Sequence, residues 1–208
     1  MIIQLPVGML DSNCYLIYDR DGGQGAIVDP GAERPADVLN HVEEHRLAIS
    51  HILNTHGHFD HIVSNGKLDL PDAVLAIHRA DRNLLMAGGG APMFGLPFVP
   101  SPEPTLMLED GMVLQVGELE VKVIHTPGHS PGCVCFYVPQ DGAVVTGDTL
   151  FAGSVGRTDL PSSDPAAMEE SLRRLIRLPT ETKVYPGHGP ASSIGRELQS
   201  NPFLRGVR

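Results

Sequence analysis

Residues 55–61 read THGHFDH, three histidines and an aspartate within one short stretch. Imidazoles and carboxylates at this density are the raw material of a metal site. On a helix His56 and His58 would point about 200° apart, whereas in extended chain residues two apart share a face. The cluster is therefore read as the extended end of the strand SHILNT, turning into a helix near His61. His56 and His58 then point one way, and Asp60 and His61 swing to a second direction. The simpler alternative is a polar turn in which Asp60 caps the next helix.

Three later stretches favour a metal. TPGHSPG places His129 in a tight Pro/Gly turn after a strand, VVTGDTLF places Asp148 just beyond a buried strand, and YPGHGP places His188 in another such turn. Each sets one metal-capable side chain at a strand end, and strand ends on one edge of a sandwich converge. These donors are too many for one zinc ion, which takes about four ligands and in a catalytic site keeps one place for water. They suit two divalent ions. His56, His58 and His129 would hold one, Asp60, His61 and His188 the other, with Asp148 bridging. Zinc is the expected metal, with iron or manganese as alternatives. Ions roughly 3.5–4 Å apart can share a hydroxide, a nucleophile at neutral pH.

The elements that must position these donors are short. NCYLIY and GAIVDPG read as strands separated by the turn DRDGGQ. A helix follows over residues 35–46 with Val38, Leu39 and Val42 on one face. AISHILNTH is a strand, HIVSNGKLDLP a short helix closed before Pro71, AVLAIH a strand and RADRNLLM a short helix. Residues 88–104, GGGAPMFGLPFVPSPEP, form a Gly/Pro-rich loop of the length found in functional lids and in disordered segments. MVLQVGELEVKVIHTPG is a hairpin turning at Gly117 and Glu118, and CVCFYVPQDGAVVTGD a second, turning at Asp141 and Gly142. Asp164 caps a helix with Pro165 at its first position. Met168, Leu172, Leu175 and Ile176 form that helix's buried stripe, and Glu169/Arg173 and Glu170/Arg174 its solvated face. TKVYPGHGP is a last strand and turn, and SSIGRELQSN a final helix. Two β-rich halves, each closed by helix, predict an α/β fold: one αββα sandwich spanning residues 1–208.

Composition narrows the function. The chain has 208 residues and a net charge of −10, with no Lys/Arg run. That disfavours nucleic acid, whose phosphates need a basic stripe. No apolar run reaches membrane-span length, and the start lacks the basic, uninterrupted apolar pattern of a signal peptide. Cys14, Cys133 and Cys135 are an odd number of cysteines, which fits a reducing cytoplasm. Cys133 and Cys135 read as buried strand thiols. His41 and His45 share a helix with Glu43 and Glu44 and read as surface. His51 and His78 read as structural, and His125 as the best candidate to orient a ligand.

The run THGHFDH, then GHS, GDT and PGHG, resembles the metallo-β-lactamase superfamily, and within it glyoxalase II and its short relatives. The resemblance covers nearly the whole chain and implies the αββα sandwich and a dinuclear centre on the donors named above. It also implies a metallohydrolase acting on a small-molecule thioester, S-lactoylglutathione or a similar hydroxyacyl thioester. Asp60 would both ligate and orient the nucleophile. The phrase GDTLFAGSVGRTDLP is similar to the glyoxalase II-like branch, and by that analogy Arg157 meets a glutathione carboxylate. Two departures stand out. Val63 and Ser64 occupy a place where relatives carry a glycine pair. Glyoxalase II carries a C-terminal helical domain that holds glutathione, whereas this chain ends soon after His188. Persulfide dioxygenases, with one iron and a GRTD stretch, are the first alternative. A β-lactamase would more often carry Cys where Asp148 stands. A lactonase is a further option on the same fold, and a non-catalytic metal-binding module an option of another kind.

Overall fold

A computed structural model describes residues 1–207. The first half forms a sheet from β1 (Ile2–Val7), β2 (Ser12–Tyr18), β3 (Gln24–Val28), β4 (Ala48–Leu53), β5 (Val74–His78) and β6 (Leu106–Leu108), in that spatial order. β1, β2 and β3 pair antiparallel, and β3 through β6 pair parallel. The crossovers carry α1 (Ala36–Glu44), α2 (Phe59–Ile62) and α3 (Arg82–Met86). The second sheet contains β7 (Val113–Val116), β8 (Leu119–His125), β9 (Val134–Val138) and β10 (Ala143–Gly147). A small hairpin, β11 (Leu150–Phe151) and β12 (Ser154–Val155), precedes α4 (Pro165–Leu175). β13 (Lys183–Pro186) and β14 (Ser192–Ser193) complete that sheet in the order β14-β13-β10-β9-β8-β7, and α5 (Ile194–Ser200) follows.

Strand alternation makes the layers. In β2, Tyr15 and Ile17 face the other sheet and join Val28, Leu53, Val121, Phe136 and Val145 in the central core. Cys14, Leu16 and Tyr18 take the opposite face with Ile27, Val38 and Val42, so α1 covers the first sheet. Cys135 and Val144 face Met168, Leu172, Leu175 and Ile194, so α4 and α5 cover the second. The sandwich is αββα, as the sequence predicts, and Cys135 is packed into the helix-facing layer. Both hairpins turn where expected. Asp164 accepts hydrogen bonds from the Ala166 and Ala167 amides and starts α4 at Pro165.

Three local expectations change. The helix expected over HIVSNGKLDLP is a single turn that begins earlier, at Phe59. Ser64 gives its hydroxyl to the Ala32 carbonyl and its amide to that of Pro30, which draws the chain off the helical path. Residues 88–104 contain one turn of 3₁₀ helix, Ala91–Phe94, and are fastened near each end. The Phe59 amide donates to Gly89 O across 3.0 Å, and Asn65 donates to Ser101 Oγ across 3.1 Å. On α4, Glu170 pairs with Arg173 rather than Arg174. Arg174 instead leaves the solvated face, donating to the His125 carbonyl at 2.7 Å and to Asp110 at 2.8 Å, and ties α4 to the end of β8.

Candidate metal centre

The donors gather beyond the carboxyl ends of β4, β8, β10 and β13. His56, His58 and His129 have donor atoms within 4.8 Å of one another, and so do Asp60, His61 and His188. Asp148 lies between the groups. Its Oδ2 is 3.4 Å from His129 Nε2 and its Oδ1 is 3.5 Å from His61 Nε2. All the metal-capable residues picked from the sequence thus meet. The ring centroids of His56 and His58 are 4.8 Å apart, as an extended backbone with both side chains on one face requires.

Four of the five rings are held from outside, while His58 turns its Nδ1 inward, 2.8 Å from His129 Nε2. His61 Nδ1 donates to Asp29 Oδ2 at 3.2 Å, His129 Nδ1 to the Arg157 carbonyl at 2.9 Å and His188 Nδ1 to the Leu10 carbonyl at 3.2 Å. Thr55 gives its hydroxyl proton to Asp29 at 2.6 Å, so it is left to accept from His56 Nδ1 at 3.0 Å. These bonds aim the bare Nε2 atoms inward, the arrangement by which outer partners fix a ligating imidazole. His56 Nε2, His61 Nε2 and Asp148 Oδ1 are buried and have no hydrogen-bond partner. Buried polar atoms without partners are costly, and cations held in the two donor groups would satisfy all three. The donor set of imidazoles and carboxylates fits divalent zinc, iron or manganese.

Sequence reasoning missed the residues that do this holding. Asp29 follows β3 with φ of 49° and is 1% exposed. It also accepts from the Thr55 amide at 2.7 Å. Asp81 is fully buried and accepts from Gly57 N at 2.9 Å, Ser130 Oγ at 2.5 Å and Gly132 N at 2.7 Å. It locks the His56/His58 turn to the His129 turn. Asp29 sits in a turn past β3 and Asp81 at the start of α3, and the only available signal was a carboxylate at the same end of the sheet as the histidines. His125 does not orient a donor ring. It stacks on His78 with ring centroids 4.0 Å apart and donates to the Pro131 carbonyl at 2.9 Å. Two glycines make room for Asp148: a Cβ on Gly156 would overlap its carbonyl, and one on Gly187 its carboxylate.

Electrostatics split the centre. Burial, then the neighbouring His129 and His61, pushes His58 down to about 4, and His56 also falls well below the usual range for histidine. Burial works against a charged His61 too, but the carboxylates of Asp60, Asp148 and Asp29 outweigh it and lift the ring to about 10. Asp60 goes the other way: burial opposes its charge, yet His61 and His188 hold it well below the usual carboxylate range. His56 and His58 thus favour the neutral ring and His61 the charged one.

Arg157 is exposed, and its guanidinium is turned to Asp159 at 2.7 Å. Its side chain borders an open cleft of about 640 Å³ that Met168, Phe203 and Arg205 also line. Cys133 and Cys135 stay buried, outside the donor groups, with Cys133 against Ser130.

With this geometry, the comparisons are direct. Residues 7–188 match the Metallo-beta-lactamase superfamily. The chain belongs to that superfamily. Hydroxyacylglutathione hydrolase GloC of Haemophilus influenzae is 33% identical over 96% of each chain. Hydroxyacylglutathione hydrolase of Maricaulis maris is 37% identical over 90% of this chain and 66% of its own length. BLEG-1 B3 metallo-beta-lactamase superposes with a TM-score of 0.90 at 34% identity, covering 98% of this chain and 99% of its own. TTHA1623, solved in a di-iron-bound form, gives 0.87 at 40% identity, covering 97% and 100%. ETHE1 from Myxococcus xanthus gives 0.83 at 29% identity, covering 99% and 85%. The superfamily is one of metal-binding hydrolases, and the di-iron relative means that its fold does not by itself select zinc. Among the described residues no helix is long and apolar enough to cross a membrane.

Proposed function

We propose that the chain hydrolyses acyl thioesters, S-lactoylglutathione or a similar hydroxyacyl thioester, with two divalent ions, zinc first. The observation that carries this reading is Asp148, whose carboxylate reaches both donor groups, His129 on one side and His61 and His188 on the other. A shared carboxylate suits a pair of ions, and so a hydrolase rather than a mononuclear iron dioxygenase. Cations bound there would acidify a water and polarise the thioester carbonyl. His56, His58 and His129 hold one side, and His61, His188 and Asp60 the other. Asp60 accepts the hydrogen bond that orients the attacking water. The departing thiolate is stable enough to need no strong acid. Arg157, released from Asp159, would meet a carboxylate of the thiol half, and the cleft it borders has room for that half.

The test is hydrolysis of S-lactoylglutathione with metal quantified in the same sample. Turnover with two ions per chain is expected. Absence of turnover at that loading, or one iron with oxygen uptake on glutathione persulfide, would overturn the reading in favour of a binding module or a dioxygenase.

A further inference from the structure

Next to the carboxylate-rich half of the centre lies an apolar cavity of about 110 Å³. Asp60 and Phe59 form the wall nearest the donors, Val63 and Leu85 the floor, and Leu96 and Phe98 the cover. The cover belongs to the Gly/Pro loop, and its fastening to Phe59 N and Asn65 sets it over the cavity. Phe94 reaches back to Phe59, with ring centroids 5.9 Å apart. Three polar residues are in the lining, and each has a partner, Asp60 meeting His188 at 3.2 Å. Ser101 accepts from Asn65, and Glu33 accepts from the Met9 amide at 3.1 Å. Val63, which departs from the glycine expected there, contributes its side chain to this wall.

We propose that this cavity receives the acyl chain of the thioester and that the preferred acyl group is apolar, with a tail of about four carbons. The proposal rests on the thioesterase reading and narrows its substrate class. An enclosed apolar cavity of about 150 Å³ takes up benzene, which sets the tail length for the smaller volume here. A lactoyl hydroxyl placed there would leave water for a mostly apolar lining. Methylenes would gain about fourfold each on burial.

Two measurements decide it. The first is kcat/KM on S-acetyl-, S-lactoyl-, S-butyryl-, S-pentanoyl- and S-octanoylglutathione at equal metal content. A rise of about fourfold per methylene up to pentanoyl, with lactoyl below butyryl, is expected. A flat series, or lactoyl the best, overturns the proposal. Val63→Phe, which fills the cavity, should collapse the pentanoyl-to-acetyl ratio. Phe98→Ala, which opens the cover, serves the same end if Val63→Phe does not fold, and should move the optimum to longer chains. The second measurement titrates pentanamide and lactamide, neutral stand-ins for the acyl groups, followed by NMR shifts of Leu85 and Val63. Pentanamide should bind the tighter, and loss of its shifts in Val63→Phe is expected. Equal or absent binding overturns the proposal. If no thioester is cleaved while pentanamide still binds, the thioesterase reading fails and the apolar site stands.

Discussion

The two halves of the centre are built from similar donors but prepared in opposite ways. In the first, His56 and His58 favour the neutral ring, with His58 pushed down to about 4 by burial and neighbouring rings. Asp60, His61 and His188 form the second, in which carboxylates outweigh burial and lift His61 to about 10. His56 and His58 present lone pairs without protons to displace. The second half already holds a proton where a cation would sit. Metal entering the second half must compete with that proton, so the two halves should load with different pH dependence.

Asp148 is the member both halves share, and its loss should have the largest effect. Asp148→Ala should lower thioester turnover by about 10³-fold or more, the scale seen when one member of a cooperating unit is removed. Metal content should fall below two ions per chain, read by elemental analysis. Retention of both ions and of activity would mean that the halves work separately. Asp29→Asn should act on one half more than the other. It removes an acceptor and a charge behind His61, and outer partners of this kind are worth about 10- to 100-fold in metal affinity. Asp29 reaches His56 only through the Thr55 hydroxyl, so competition against a chelator should show the His61 ion weakened more than the other. Equal weakening of both would erase the distinction.

The smallest effect is the pH profile of the chelated protein. Between pH 6.5 and about 4 the unfolded chain takes a proton that native His58 refuses, so stability falls as pH drops. His61 contributes fully below 6.5 and progressively less as pH rises toward about 10. Melting temperature should peak near 6.5, and His61→Gln should flatten the alkaline limb. An unchanged alkaline limb in that variant would remove the electrostatic contrast.

Much of this was legible in the chain because its turns carry their own chemistry. Gly117, Gly142 and the Asp164-Pro165 pair fix hairpins and a helix start by local rules, and the histidine turns announce themselves by composition. The edge strands β1 and β6 were not read. β1 carries Pro6, tolerated only because no third strand needs its amide, and β6 is three residues long behind a Gly/Pro loop. Arg174 was misread because i,i+4 spacing says nothing of a partner as distant as Asp110. Asp29 and Asp81 escaped because a lone aspartate in a turn or at a helix start looks like any cap until the fold brings the histidine turns beside it.

Gly156 and Gly187 close around Asp148 so tightly that neither tolerates even a methyl group. A chain could therefore keep every donor in its sequence and still lose the centre through an alanine at either place. Inventories of histidines and aspartates would score such a chain as intact, and only one methyl group on the wrong backbone carbon would reveal that it had gone silent.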